Sequence, residues 1–315
     1  MGLDPRYREY LAVYERFTPE QLLSGDPDFA DSLAPFSVAP AGYHSPQVRR
    51  VTDVSVPGPH GDVRVRVYQH KRGPRRGPAV VWCHGGGWVS GDLEMPEADL
   101  VAREVCSRAG ATVFSVDYRL AVGGVRYPIP LDDVVTAYRW AAANAVSFDA
   151  DQARVLLGGA SAGGNLAAGA ALRLRDEHGP VPSGVVLAYP VVHAVLPPPS
   201  EELHRRLATL PALLSAPQVV AAMAGNYLGG PAESASPYAM PGLADLACYP
   251  RTLIINCEYD VLRASGEAYA RALANAGVPV QAYVESGVLH GHLNMPWLDG
   301  AQRSLGKVVE WISAT

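Results

Sequence analysis

Short apolar runs and amphipathic stretches alternate along most of this chain. Two stretches near residues 51–68 alternate apolar and polar positions around Gly61-Asp62, which predicts an antiparallel hairpin. After residue 78, apolar runs of strand length are followed by stretches with helical spacing, which is typical of a parallel sheet with helices on both faces. The predicted strands are 51–56, 63–68, 79–83, 112–116, 155–157, 181–187, 252–257 and 278–284, and the predicted helices are 97–108, 132–144, 166–174, 262–276 and 301–312.

Two segments interrupt this alternation. Residues 1–50 open with a helix capped by Asp4-Pro5, continue with a second short helix at Thr18-Pro19-Glu20, and become irregular over 25–47. Residues 191–230 carry two short helical patterns, at 201–210 and 217–227.

Both segments hold apolar residues that have no core position of their own, so we expect them to pack against each other as a helical cap. The expected organisation is an N-terminal cap segment (1–50), a first part of a catalytic core (51–190), a cap insertion (191–230) and a second part of the core (231–315). A charged turn is predicted at 72–77.

The pentapeptide Gly159-Ala160-Ser161-Ala162-Gly163 lies between a predicted buried strand and a predicted Ala-rich helix. A serine at a sharp strand-to-helix turn needs nearly side-chain-free neighbours two residues away, and both glycines meet that need. Ser161 is therefore a candidate nucleophile at the carboxyl edge of the sheet, although a plain Gly-rich turn with an idle serine would share the pattern.

A serine nucleophile needs a base and a carboxylate that orients the base. Asp260 follows the predicted strand 252–257, and His290 follows the last predicted strand, so Ser161, Asp260 and His290 occur in the expected order along the chain. Asp260 could also cap the helix that follows it. Glu258 is the alternative acid, with bracing of the loop as its expected role, and His292 is the alternative base.

A tetrahedral intermediate needs hydrogen-bond donors for its oxyanion. His84-Gly85-Gly86-Gly87-Trp88 directly follows the predicted strand 79–83 and exposes consecutive backbone N–H groups. We expect the N–H groups of this glycine loop, together with the N–H of Ala162 after the nucleophile, to form the oxyanion hole. His84 is expected to be structural.

Composition narrows the function classes. The 315 residues are 48% hydrophobic, and a net charge of −5 without a basic stripe gives nucleic-acid binding no electrostatic support. The chain has no apolar run long enough to span a bilayer and a polar N-terminus without a signal-peptide pattern, so we expect a cytoplasmic protein without membrane anchoring. The four cysteines have no metal or redox spacing, so no metal site is expected. Abundant arginine with scarce lysine indicates a GC-rich bacterial genome.

These motifs together resemble the hormone-sensitive-lipase-like branch of the α/β-hydrolase family. The resemblance implies a mostly parallel eight-stranded sheet with a helical cap, and hydrolysis of short- to medium-acyl carboxylic esters without a cofactor. It implies that Ser161, Asp260 and His290 form the triad and that the N–H groups of Gly86, Gly87 and Ala162 form the oxyanion hole. The matching segments are His84-Gly-Gly-Gly-Trp88, Asp117-Tyr-Arg-Leu-Ala121, Gly159-Ala-Ser-Ala-Gly-Gly-Asn-Leu-Ala167, Ser236-Pro237, Glu258-Tyr-Asp260, Gly266-Glu-Ala-Tyr-Ala270 and His290-Gly291.

The chain departs from the family pattern at three places: Ala160 before the serine, Val122-Gly123 after the Asp-Tyr-Arg-Leu-Ala segment, and His292 where an aromatic residue is usual. We expect these positions to lie near the pocket. The resemblance therefore does not define the substrate, and small natural-product esters are among the candidates. An amidase, deacetylase or arylformamidase with the same triad, a non-hydrolytic lyase or cyclase, and a small-molecule receptor are the other function classes. The expected partner is a small-molecule ester, and a homodimer is possible.

Overall fold

The computed structural model of the chain describes residues 2–18, 20–21, 27–70 and 76–314. The charged turn predicted at 72–77 falls mostly on residues 71–75, and the helix predicted from Thr18-Pro19-Glu20 would run through residue 19 and residues 22–26. Both predictions therefore lie largely outside the described residues.

A single eight-stranded sheet forms the centre of the molecule, with the strand order β1-β2-β4-β3-β5-β6-β7-β8. Strands β3 to β8 run parallel to one another, and β2 pairs antiparallel with both β1 and β4. This confirms the predicted α/β-hydrolase fold with its mostly parallel eight-stranded sheet. The strands are β1 Arg50–Val56, β2 Val63–Gln69, β3 Gly77–Cys83, β4 Thr112–Asp117, β5 Ala150–Ala160, β6 Val185–Ala188, β7 Thr252–Tyr259 and β8 Val280–Leu289.

Helices cover both faces of this sheet and also form the two segments that interrupt the alternation. They are α1 Arg8–Tyr14, α2 Pro27–Leu33, α3 Pro96–Ala109, α4 Ile129–Asn144, α5 Ala162–Asp176, α6 Glu201–Leu207, α7 Ala212–Ser215, α8 Pro217–Leu228, α9 Arg263–Asn275 and α10 Asp299–Ser313. Short 3₁₀ turns lie at Pro5–Tyr7, Ala34–Ser37, Ala145–Phe148, Ala232–Ser234, Pro241–Leu243 and His292–Asn294.

The apolar runs of the central strands are continuous because both faces of these strands are buried. In β3, Val81 packs on the face covered by α4, α5 and α9, whereas Val80 and Trp82 pack on the face covered by α3 and α10. Successive side chains of a strand point to opposite faces, so one apolar run supplies both core layers.

Several boundary predictions were wrong, among them that of the strand predicted at 155–157, which spans Ala150–Ala160. The strand predicted at 181–187 begins only at Val185. The last strand extends to Leu289, five residues past its predicted end, because it contains a bulge that the apolar pattern does not reveal. Residues 27–37, predicted to be irregular, form α2 and a 3₁₀ turn.

The N-terminal segment packs on the 191–230 insertion. Phe29 of α2 forms a buried cluster with Leu213 of α7 and Val219 of α8. The Tyr14 ring lies edge-on to Phe29 at a centroid distance of 5.4 Å, which joins α1 to the same cluster. These tertiary contacts explain why α2 is helical although its composition favours a loop. Among the described residues, no helix is both long and apolar enough to cross a membrane.

Candidate active site

Ser161 occupies the single residue between β5 and α5. Its backbone has φ 54° and ψ −118°, which is unusual for a residue other than glycine and is held by the structure around it. A Cβ atom at Gly159 would lie 2.7 Å from the carbonyl oxygen of Cys83, and one at Gly163 would overlap the carbonyl oxygens of Cys83 and His84. The sharp turn therefore fits against β3 only because these two positions lack side chains.

The structure brings the three predicted triad residues into one hydrogen-bonded chain. The Ser161 Oγ lies 2.9 Å from His290 Nε2, and His290 Nδ1 lies 2.8 Å from Asp260 Oδ2. Because a carboxylate only accepts hydrogen bonds, Nδ1 carries the proton, and Nε2 of the neutral ring is free to accept from the serine hydroxyl. The other oxygen of Asp260, Oδ1, accepts the N–H of Leu262 at 2.8 Å, so Asp260 also caps the turn that leads into α9.

Two opposing effects act on the pKa of His290. Burial disfavours the charged imidazolium and lowers the pKa, whereas the Asp260 carboxylate favours the charged form through its charge and its hydrogen bond. Glu97 adds a smaller effect of the same sign as Asp260, and the net result is a pKa above the ordinary histidine value of 6.5.

A bulge near the end of β8 sets the position of His290. Cys257 of β7 pairs with Glu285, but Tyr259 pairs with Leu289, so β8 has extra residues between these two pairs. Gly287, with φ 72°, forms this bulge. A bulge bends its strand and changes where the following side chain points. His290 directly follows the bulged strand and is thereby turned toward Ser161.

Glu258, the alternative acid, contacts this bulge instead of the histidine. Its Oε2 accepts the N–H of Gly287 at 2.6 Å, and its Oε1 lies 2.7 Å from Arg206 of α6. On its other side, the Gly287 carbonyl accepts the N–H of Asp4 at 3.0 Å. Glu258 therefore joins the bulge to the 191–230 insertion, while the N-terminal segment holds the bulge from the opposite side.

His292, the alternative base, points away from the serine. Its Nδ1 lies 3.2 Å from the Sγ of Cys257, and its Nε2 lies 2.8 Å from the Oγ of Ser304 in α10. Burial, together with the nearby His290, lowers the pKa of His292 to about 3, so its ring is neutral. Both ring nitrogens are thus engaged in the core.

Two anchored carbonyls determine how the donors of the oxyanion loop point. The Gly85 carbonyl accepts from His84 Nδ1 at 2.7 Å and from the Tyr118 hydroxyl at 3.3 Å, and the Gly86 carbonyl accepts from the N–H groups of Val89 and Ser90. In a trans peptide the N–H points opposite to the C=O. The N–H groups of Gly86 and Gly87 therefore point away from these anchors.

The third expected donor, Ala162, is the first residue of α5. The first N–H groups of a helix have no partner within the helix, and the helix dipole makes this end favourable for negative charge. The loop runs close to the serine, since a Cβ atom at Gly85 would lie 3.2 Å from the Cβ of Ser161. The site can thus offer backbone donors next to a serine that is hydrogen-bonded to histidine.

Sequence reasoning missed Glu97, whose side chain is buried between the oxyanion loop and the residues after His290. One feature of the sequence could have identified Glu97. The buried face of α3 includes Glu97, Val101 and Val105, which are spaced four residues apart. An acid therefore lies at a position where the helical pattern predicts an apolar residue.

The three departures from the family pattern lie in different surroundings. The side chains of Ala160 and His292 are buried in the core, and Val122 is exposed. No cluster of three or more potential metal ligands occurs in the part of the chain that the structure describes.

Comparison with known proteins identifies the family of this chain. A protein family described as alpha/beta hydrolase fold matches residues 80–294. The carboxylesterase NlhH of Mycobacterium tuberculosis is 38% identical over 239 residues, which cover 74% of this chain and 72% of the relative. The carboxylic ester hydrolase LipN of the same organism is 34% identical over 308 residues, which cover 95% and 79%.

The solved structures give the same result for the whole fold. A hyperthermophilic esterase from the archaeon Pyrobaculum calidifontis is 33% identical, with a TM-score of 0.83 over 100% of this chain and 99% of that chain. The family match covers more than half of the chain, and the relatives match over most of their own length. The chain therefore belongs to the α/β-hydrolase family, in its hormone-sensitive-lipase-like esterase branch.

Proposed function

We propose that the chain is a serine carboxylesterase that hydrolyses short- to medium-acyl esters and small natural-product esters through an acyl-enzyme on Ser161. The observation that carries the proposal is the hydrogen-bonded chain from Ser161 Oγ through His290 to Asp260, with distances of 2.9 and 2.8 Å. Carboxylic ester hydrolysis is also the activity printed for relatives that match most of the chain.

In the first half-reaction, Ser161 Oγ forms a bond with the ester carbonyl carbon while His290 Nε2 takes the serine proton. The carbonyl oxygen becomes an oxyanion that accepts hydrogen bonds from Gly86, Gly87 and Ala162. As the intermediate collapses, the bond to the alcohol oxygen breaks and His290 returns its proton to that oxygen. Water then attacks the acyl-enzyme, with His290 again acting first as base and then as acid.

Asp260 contributes by holding His290 in the tautomer that leaves Nε2 unprotonated, and by stabilising the imidazolium that forms. We assign it no proton transfer.

The test is activity on p-nitrophenyl esters together with covalent labelling. Ser161→Ala should abolish hydrolysis and labelling by a phosphonate, with the melting temperature nearly unchanged. His290→Ala should lower kcat by several orders of magnitude, and Asp260→Asn should lower it by about 10⁴. Phosphonate attached to another serine, or full activity of His290→Ala, would refute the assignment.

We propose further that residues 1–50 and 191–230 act as a cap that limits acyl length. A Cβ atom at Gly87 would lie 2.8 Å from the Sδ of Met223, so α8 covers the oxyanion loop, and Met223 also packs against the Phe29 cluster. A cap that covers the site in this way should accommodate acyl chains of roughly two to eight carbons. Met223→Ala should shift the preference among p-nitrophenyl esters toward longer chains, whereas an unchanged chain-length profile would argue against the cap.

Amide hydrolysis is the second candidate, because arylacetamide deacetylase of Bos taurus is 29% identical over 311 residues, which cover 80% of this chain. The same triad can cleave a C–N bond, and aryl amides assayed beside the esters distinguish the two. A lyase or cyclase would release no stoichiometric burst of p-nitrophenol, whereas an esterase that forms an acyl-enzyme can.

We place the protein in the cytoplasm, since all four cysteines are free, as expected in a reducing compartment. We also propose a homodimer that pairs through β8, because this edge strand leaves Tyr283 and Val284 each 38% exposed. Light scattering of the wild type and Tyr283→Lys tests it: a dimer that becomes monomeric supports the proposal, and a wild-type monomer refutes it.

A further inference from the structure

Glu97 is a buried acid that takes no part in the mechanism described above. It lies in the first turn of α3, and its side chain is about 1% exposed. Its carboxylate has no Lys or Arg partner in the ion pairs of the described residues. A buried carboxylate without a cation is costly unless hydrogen bonds satisfy it, so its retention calls for an explanation.

Three donors satisfy the Glu97 carboxylate, and each belongs to a different segment around the active site. The N–H of Gly85, at the start of the oxyanion loop, donates to Oε2 at 2.6 Å. The hydroxyl of Tyr189, just after β6, donates to Oε1 at 2.6 Å, and the amide of Asn294 donates to the same oxygen at 3.3 Å. Asn294 also accepts the backbone N–H of Glu97, at 3.3 Å, so these two residues are joined twice.

Two of the three donors connect Glu97 to the base. Asn294 follows His290 by four residues, within the same loop. The ring of Tyr189 lies edge-on to the His290 ring at a centroid distance of 5.0 Å. One carboxylate thus links the loop that supplies the oxyanion donors with the residues that support the imidazole.

From this arrangement we propose that Glu97 is a positioning residue. It holds the oxyanion loop in a fixed position relative to the histidine of the triad. The proposal rests on the proposed esterase function, because it assigns Glu97 to the same reaction. Glu97 reaches the Gly85 N–H only because residue 85 is glycine: a Cβ atom there would lie 2.5 Å from Oε2.

The mechanism of this positioning follows from the two ends of Gly85. Its carbonyl is held by His84 and Tyr118, and its N–H is held by Glu97, so the peptide planes on both sides have fixed orientations. If Glu97 no longer accepts this N–H, only the Gly85 carbonyl remains anchored. The following donor, the Gly86 N–H, is then oriented less precisely toward the oxyanion.

The expected effect is smaller than the loss of a donor. Deleting one oxyanion donor costs about 10²–10³ in kcat, so misaligning one should cost about 10- to 100-fold. Because the oxyanion exists only after attack, KM should change by less than about threefold.

The experiment compares Glu97→Gln with the wild type on p-nitrophenyl acetate. Glutamine has the same shape but only one acceptor oxygen for three donors. The matched control is Glu104→Gln, two turns along α3, whose buried carboxylate contacts Tyr43, Arg108 and Gln302 away from the site. We expect kcat to fall about 10- to 100-fold in Glu97→Gln only.

A trifluoromethyl ketone provides a readout that a merely structural role would not change. Its carbonyl carbon bonds to Ser161 Oγ, the serine proton moves to His290, and the resulting oxyanion occupies the hole. Its inhibition constant should rise in Glu97→Gln in proportion to the fall in kcat/KM, because both report binding of an oxyanion. Equal kcat and equal inhibition constants in Glu97→Gln and the wild type would overturn the proposal.

Asn294→Ala and Tyr189→Phe each remove one donor from Glu97 and cover the case in which Glu97→Gln fails to fold. Each substitution should lower kcat and raise the inhibition constant of the ketone in parallel. Wild-type kcat and inhibition constants in both variants would also overturn the proposal. A wild-type protein that hydrolyses no ester and takes up no phosphonate would instead refute the esterase function itself.

Discussion

The buried His292 should make the protein sensitive to acid. Its pKa is lowered from 6.5 to about 3, first by burial and then by the positive charges of His290, Lys307 and Arg303. In the unfolded chain the same imidazole takes up a proton near pH 6.5. Between these two values the unfolded state binds a proton that the folded state does not, so the free energy of unfolding must fall as the pH decreases from about 6.5 to about 3.

The size of this loss in the free energy of unfolding follows from the shift in the pKa of His292. Each pH unit inside the window contributes about 1.4 kcal/mol, so the loss from this residue is about 2 kcal/mol at pH 5 and about 5 kcal/mol at the acid end of the window. Phenylalanine at position 292 has a similar size and does not titrate. His292→Phe should therefore lack this part of the pH dependence.

The same substitution has a cost at high pH. It leaves the Cys257 thiol and the Ser304 hydroxyl without their imidazole partner, which should lower stability by about 1–3 kcal/mol at pH 8. Between pH 8 and pH 5, the wild type should lose about 2 kcal/mol more than the variant, so the gap between them closes or reverses.

The assay is urea unfolding of wild type and His292→Phe at pH 8 and pH 5, followed by tryptophan fluorescence. His204→Phe, at an exposed histidine of α6, is the matched control. A gap between wild type and His292→Phe that is the same at both pH values would refute the reasoning. His292→Phe should also retain esterase activity at pH 8, because its ring is not the proposed base.

Two further predictions concern the triad and the nucleophile turn. Because Asp260 holds the pKa of His290 above 6.5 and only the neutral imidazole can accept a proton, the acid limb of kcat/KM should lie above pH 6.5. Asp260→Asn should move that limb to lower pH in a pH–rate profile, and an unmoved limb would contradict the assignment. Gly163→Ala should yield little folded, active enzyme because a Cβ there overlaps two carbonyl oxygens of the neighbouring loop. Gly225→Ala, inside α8 with open space around it, should instead raise the free energy of unfolding by about 0.5–1 kcal/mol, and similar effects of both changes would contradict the packing.

The segments that carry the proposed nucleophile, acid and base could be predicted from sequence because all three follow one repeated rule. Each lies directly after one of the parallel strands, and parallel strands bring their carboxyl ends to one edge of the sheet. The apolar runs before Ser161, Asp260 and His290 were long enough to mark three strands. Their order along the chain then limited the roles that each residue could take.

The exact placement of His290 could not be predicted in this way. It depends on a bulge at Gly287 that Glu258 holds from one side and Asp4 from the other. Neither partner is near Gly287 in sequence, and the apolar pattern of 278–284 ends before the bulge begins. Helix α2 is a similar case, since its burial depends on Leu213 and Val219, far along the chain.

His290 and His292 show how strongly partners determine the chemistry of one residue type. They lie two positions apart, on either side of Gly291, and their side chains point in different directions. A buried carboxylate faces one ring and raises its pKa, whereas a thiol and a hydroxyl face the other, offer no compensating charge, and leave burial to lower its pKa to about 3. Sequence alone could rank the two histidines only by their neighbours along the chain. The difference between the proposed base and a neutral core residue arises from Asp260 and Cys257, at the carboxyl end of β7, and from Ser304 of α10.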